Sequence, residues 1–278
     1  MKKPQLTLFA HSYWDAIPVL WGVVHCAYLM GMLIAFQYLP WWGNVLTGLF
    51  YAFSISWNVN SVSHNFIHNA YFNSSMLNRA FSLIESITMG FSQTMYDHGH
   101  SQHHIGKNGE TVDWISFYQH GKNGEPEHVL KYSFLSFFRD DPKRISAGIK
   151  RLNPFLAKFA WFELALVMLM FIALFLINWK LGLFFVVFHY LGHSLTAMNG
   201  FYEHFGGNPD KPIAWGVSYY NQAFNWLWLN NGYHAEHHYR PKHHWTKMHD
   251  LHQQIVGKQR EAGVKVIGWP QQLGFLVK

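Results

Sequence analysis

Four long apolar runs constrain this chain more than any other feature. Residues 17–39 are 23 consecutive positions without Asp, Glu, Lys or Arg, and residues 45–63 are 19 more. Residues 155–177 are as apolar, with Lys158 and Glu163 near their start. Residues 181–199 carry no acidic or basic side chain apart from His189 and His193. About 20 apolar residues cross the hydrocarbon core of a bilayer as a helix. The sequence therefore predicts an all-α membrane protein, a single integral domain over 1–278. It has four transmembrane helices in two hairpins, with short turns at 40–44 and 178–180, plus interfacial helices and a cytoplasmic histidine-rich cap. A buried soluble bundle is the alternative, but three of the runs exceed ordinary core-helix lengths. Charged residues make up 13% of the chain, about half the share usual in a soluble domain.

Charge orients the spans. Nineteen of the 21 Lys and Arg lie before the first run, between the second and third, or after the fourth. The two short turns hold only Lys180, and Lys158 sits at the same-side end of the third run. Cationic loops stay cytoplasmic. Both termini and the long central segment are expected there, in a multi-pass protein of the bacterial inner membrane. The net charge of +6 then reflects topology and anionic head groups. The basic residues are scattered and form no nucleic-acid-binding motif, so no nucleic-acid partner is expected. The first run is too long for the apolar core of a cleaved leader. Cys26, the one cysteine, lies inside that run and reads as a packing residue.

Nine of the 20 histidines fall into four groups: His64 and His68 in HNFIH, His100, His103 and His104 in HSQHH, His204 in YEHFG, and His234, His237 and His238 in HAEHH. A spacing of three or four residues puts two side chains on one helix face. Imidazole is the commonest metal ligand near neutral pH. One tetrahedral zinc takes at most four protein ligands, so nine imidazoles fit two metal ions of four or five ligands each. With the topology above, all nine reach the cytoplasmic side. An HxxxH pair alone is often just two surface histidines, but two HxxHH boxes converging on one face are not. His120, His128, His243, His244, His249 and His252 read as solvated loop or tail residues, and His25 as a hydrogen-bonded helix contact.

A ligating imidazole needs its second nitrogen held by an acceptor. Asp97, Asp113, Glu203 and Glu236 stand near the boxes and are candidates for that role, with surface charge as the alternative. Asn199, Asn230 and Asn231 could hold an imidazole or a metal-bound water. His189 and His193, four apart inside the fourth run, need polar partners. They could orient a ligand, line a substrate cavity, or replace His204. Residues 76–95 read as an interfacial helix. The aromatic stretch 214–229 is expected at head-group depth. Residues 106–127, with the repeated GKNGE, read as a turn-rich loop.

HxxxH, HxxHH and HxxHH in this order, between apolar hairpins, resemble the membrane fatty acid desaturase and hydroxylase superfamily of non-haem di-iron enzymes. The resemblance runs from the first span to Arg240-Pro241. Asn199, Tyr202, His204 and Gly206 look like the additional box of bacterial alkane monooxygenases, whose histidine is a ninth ligand. The match departs from that box in its extra residues before Tyr202 and in Phe205. The box at 231–238 is closer to that of acyl-lipid and sphingolipid desaturases. The resemblance implies two iron ions, O2 as oxidant and a long acyl or alkyl chain as substrate. Neither a haem-binding HPGG motif nor CxxC pairs occur, so electrons would come from a separate ferredoxin, rubredoxin or cytochrome b5. Fatty acyl-lipid desaturation is the expected reaction. Hydroxylation, or decarboxylation to a terminal alkene, is the alternative. A membrane metal transporter is the non-enzyme alternative, although transporters bind near the bilayer midplane. A zinc protease would need HExxH, and Asn65 stands where its Glu would be.

Overall fold

The computed structural model describes residues 7–105 and 125–277. Regular structure among them is helical, with isolated bridges pairing Phe9 with Phe72 and Ser218 with Val266. Helix α1 (Ala16–Ala35) follows a short turn in which the Ser12 hydroxyl accepts from Trp14 N and Asp15 accepts from Ser12 N. These reciprocal bonds satisfy donors that a helix start leaves open. Helix α2 (Trp41–Asn58) leads without interruption into a π-helical turn, Val59–Ser63, and a short α3 (His64–His68). Helix α4 (Ser75–Met89) ends at Gly90, whose φ of 71° suits a residue without Cβ. Helix α5 (Gln93–Ile105) follows. Beyond the undescribed stretch come α6 (Val129–Leu135), α7 (Pro142–Leu152), α8 (Pro154–Ile177) and α9 (Trp179–His204). Asp141, Asn153 and Asn178 cap the last three through their side-chain oxygens. The chain closes with α10 (Gln222–Leu227), α11 (His234–Tyr239) and α12 (Met248–Ala262).

Among the described residues, three helices are long and apolar enough to cross a membrane: Tyr13–Ala35, Pro154–Ile177 and Trp179–His204. Helix α2, at the second expected span, is more polar because Ser54, Ser56 and Asn58 lie on its buried side. The outward faces are apolar: Leu176 is 81% exposed and Trp41 78%. Helices α2 and α9 approach closely through small residues. A Cβ on Gly48 would overlap the Phe188 ring, and one on Gly192 would overlap Ile55. Glu163 is a carboxylate inside α8, and it is fully buried. It accepts from Ser82 and Ser92 hydroxyls and from Thr94 N. A buried charge needs such partners, and these tie α8 to α4 and α5.

Three boundaries differ from those read in the sequence. The first turn lies at 36–40, not 40–44, because Pro40 precedes the first helical residue and Trp41 to Gly43 already belong to α2. The interfacial segment 76–95 is two helices, broken at Gly90. The fourth run continues past 199 through Gly200 to His204, and the helix gives way before Gly206, whose φ is 88°.

Candidate metal centre

The four histidine groups meet at one end of the bundle. The π turn delivers the first pair, since its wider winding re-phases α3 relative to α2. His64 and His68 then share one face of α3, as His100 and His104 do on α5. In each HxxHH box the pair four apart joins one cluster and the third histidine joins the other. His64, His68, His100, His104 and His237 bring one ligand atom each within 4.8 Å of one another. His103, His204 and His238 form a second group of the same kind. His234 belongs with the second group, its Nε2 lying 3.1 Å from His204 Nε2 and 3.2 Å from His238 Nε2. The division is five and four, as the sequence count implied.

The donor geometry fits cations. His104 Nε2 lies 2.9 Å from His100 Nε2 and 3.0 Å from His237 Nε2. His204 Nε2 lies 3.0 Å from His103 Nε2 as well as close to His234. A ring nitrogen carries one proton or one lone pair, so it cannot bond to two such neighbours at once. Imidazoles about 2.1 Å from a shared ion, at right angles, would stand about 3 Å apart. His68 Nε2 is buried with no hydrogen-bond partner, another donor open to a cation. Burial drives the His64 pKa down to about 4, against a smaller upward pull from Asn231. Burial first, then neighbouring imidazoles, push His68, His100, His104, His234, His237 and His238 well below the usual histidine range. Neutral imidazole is the form that ligates.

One carboxylate lies beside the clusters, beyond hydrogen-bond range of the nearest imidazole. Glu203 Oε1 accepts from Asn231 Nδ2 at 2.7 Å and from Asn199 Nδ2 at 2.8 Å, and lies 3.8 Å from His234 Nδ1. His64 Nδ1 donates to Asn231 Oδ1 at 3.2 Å. Glu203, Asn199 and Asn231 thus stand together beside the imidazoles. Asp97 and Glu236 do not. The exposed Asp97 carboxylate accepts from the Ser101 hydroxyl. Glu236 points away from the rings of its own box and accepts from Ser218, Tyr220 and His252. Asp113 lies outside the described residues. His189 and His193 join neither cluster. Their rings sit 4.5 Å apart beside Phe137 and Phe171, and His193 Nε2 donates to Met89 O at 2.8 Å.

The tail histidines are not simply solvated. His244 Nε2 donates to Asp15 Oδ1 at 2.9 Å, His252 Nδ1 to Glu236 Oε1 at 2.6 Å, and His249 pairs with Tyr233 OH at 3.0 Å. They tie the end of the chain to the third box and to the start of α1. Sequence reasoning also missed Trp215, whose ring packs 5.0 Å from His103 and 4.9 Å from His238. Gly216 beside it lets the backbone of His234 and Ala235 approach closely.

These features define a helical membrane protein with a metal centre built from histidines. The chain belongs to the fatty acid desaturase family, whose sequence pattern it matches over residues 39–269. No curated protein matches it. Membership makes it an oxidoreductase of the class that acts on acyl chains in a membrane.

Proposed function

We propose that the protein is an O2-dependent di-iron enzyme that introduces a double bond into the acyl chain of a membrane lipid. The observation that carries this reading is the partition of nine box imidazoles into clusters of five and four. Iron held there supplies the activation of O2 that oxidation of an unactivated methylene requires. Overall, the two hydrogens that leave the chain, together with O2, two electrons and two protons, become two waters. The electrons come from a separate ferredoxin, rubredoxin or cytochrome b5. This chain's residues hold the ligands neutral, fix ring orientation through Glu203 and Asn231, and exclude water by burying the site. Zinc would fit the same nitrogens but is redox-silent.

Four spans place both termini and the metal centre on the cytoplasmic face of a bacterial inner membrane. Contacts of the segment before α1 support this arrangement. Ala10 N donates to Tyr71 O just after the first box, and Asp15 bonds to His244 just after the third. The N-terminal segment therefore sits at the same end of the bundle as the boxes, as an α1–α2 hairpin requires.

Hydroxylation is the second reading, favoured by the presence of His204, from the alkane-monooxygenase-like box, among the clustered imidazoles. Expression in a bacterium followed by mass spectrometry of lipids, fatty acids and hydrocarbons separates the outcomes. Desaturation adds a double bond to an acyl chain. A hydroxylated chain or a terminal alkene would replace that reading. His237→Ala should abolish the product and lower iron content while the protein still inserts. Unchanged turnover in that variant would refute the ligand assignment.

A further inference from the structure

A cavity of about 520 Å3 opens between the start of α1 and the segment that carries α10 and the approach to α11. Its volume suits a small-molecule site. Trp21, Trp226 and Trp245 supply aromatic walls, and Gln222, Asn225 and Asn230 supply side-chain amides. Among the described residues, no lysine or arginine lines it. Behind the Trp245 wall, the buried Asp15 carboxylate accepts from Trp245 Nε1 at 3.0 Å and from His244 Nε2 at 2.9 Å.

Two further observations mark the cavity as a binding site. Leu229 and Asn230, both on its wall, have φ of 50° and 63°, the two non-glycine positive values among the described residues. A left-handed backbone is unfavourable for leucine and persists only where surrounding contacts impose it. Here Asn65 Nδ2 donates to Leu229 O and Asn230 Nδ2 to Trp245 O. Secondly, Asn225 is 3% exposed, and its Nδ2 donates to Tyr219 O and Asn221 O. Its Oδ1 is buried without a hydrogen-bond partner among the described residues.

We propose that this cavity seats the uncharged, hydroxyl-bearing head group of a membrane lipid. Amides bond hydroxyls, and indole rings pack against the C–H faces of a glycerol or sugar. A phosphate or coenzyme A head would find no lysine or arginine to pair it among the described wall residues. The position fits as well. Trp226, 70% exposed, and Trp21 at the start of α1 stand where indoles gather at a membrane surface. The wall residue Asn230 directly precedes Asn231, the partner of His64. A head group here sits next to the metal centre, leaving its chain free to approach it. On the lipid-oxidising reading that lipid is the substrate; binding at the cavity stands or falls without turnover.

The test uses the full chain, metal-loaded, in nanodiscs. Galactosyl diacylglycerol, diacylglycerol and phosphatidylglycerol of identical chains each carry a diazirine at the glycerol end of one chain. Photolabelling is mapped by mass spectrometry, with the bilayer-facing surface around Leu176 as the reference for nonspecific lipid. The galactosyl lipid should label the start of α1 and α10 about tenfold over phosphatidylglycerol, after normalisation to that reference. Gln222→Leu should reduce the preference several-fold with metal content intact, and Trp226→Ala serves if the first variant folds poorly. Equal labelling by diacylglycerol would keep the uncharged class and assign the contact to glycerol hydroxyls. Equal labelling by phosphatidylglycerol, or a preference unchanged in both variants, would overturn the proposal. Absence of an oxidised product would count against the enzymatic reading alone.

Discussion

At Asn231 a single amide donates to Glu203 and accepts from the ligand-cluster residue His64. Replacing it with alanine leaves His64 Nδ1 without its acceptor and removes one of the two amide donors to Glu203. Loss of such outer partners generally costs 10–100-fold in metal affinity or activity. Asn231→Ala should therefore fall in that range in turnover and lose iron by elemental analysis, while Asp97→Asn keeps its iron. Equal iron in both variants would show that the Glu203–Asn231 link does not support the site. All nine box histidines were legible in the sequence because their spacing repeats helix geometry. The acids were not. Glu203 and Glu236 each adjoin a box histidine, yet one faces the imidazoles and the other faces Ser218, Tyr220 and His252. Neighbours in a helix point about 100° apart, so which acid meets a ligand depends on the element packed beside it. Trp215 escaped for the same reason, lying in an aromatic stretch that reads as a membrane surface.

The π turn at Val59–Ser63 is the element on which the first histidine pair depends. Deleting Asn60 should restore α-helical phase and swing His64 and His68 about 100° from their present direction. The deletion variant should insert in the membrane but bind little iron; full iron content would mean that α3 finds its aim without the turn. No sequence signal marks this extra residue, because apolar periodicity does not distinguish α from π over so few positions. The same element meets Glu85 on α4, whose Oε2 accepts from the Ser63 hydroxyl at 3.0 Å. Burial raises the Glu85 pKa from 4.5 to about 7, with hydrogen bonds from Ser63 and Asn58 opposing. The native state thus favours the protonated acid more than the unfolded chain does. Its contribution to stability is complete below pH 4.5 and is lost as pH rises through about 7, on the order of 3 kcal/mol in all. Thermal melts in detergent should show that loss in the wild type, and Glu85→Gln should lack it. Parallel pH dependence in the two proteins would remove Glu85 from the account.

The topology of the whole molecule turns on α2. If α1, α8 and α9 alone crossed, the boxes would still share a side, but the N-terminus would lie on the other. The contacts of Ala10 with Tyr71 and of Asp15 with His244 join the N-terminal segment to the box end, the arrangement that the proposed four-span topology calls for. The sequence carried the same information only as charge asymmetry, since it could not show which loops touch. In a Cys26→Ala background, single cysteines report each face. Tyr38→Cys lies in the α1–α2 turn, where Tyr38 is 76% exposed. Lys180→Cys lies near the start of α9, and Lys258→Cys on exposed α12. A membrane-impermeant maleimide on intact cells should label Tyr38→Cys and Lys180→Cys, and reach Lys258→Cys only after permeabilisation. Labelling of Lys258→Cys in intact cells would place the metal centre outside, away from any cytoplasmic electron donor. Protection of Tyr38→Cys with labelling of Lys180→Cys would show that α1 and α2 do not form a spanning hairpin.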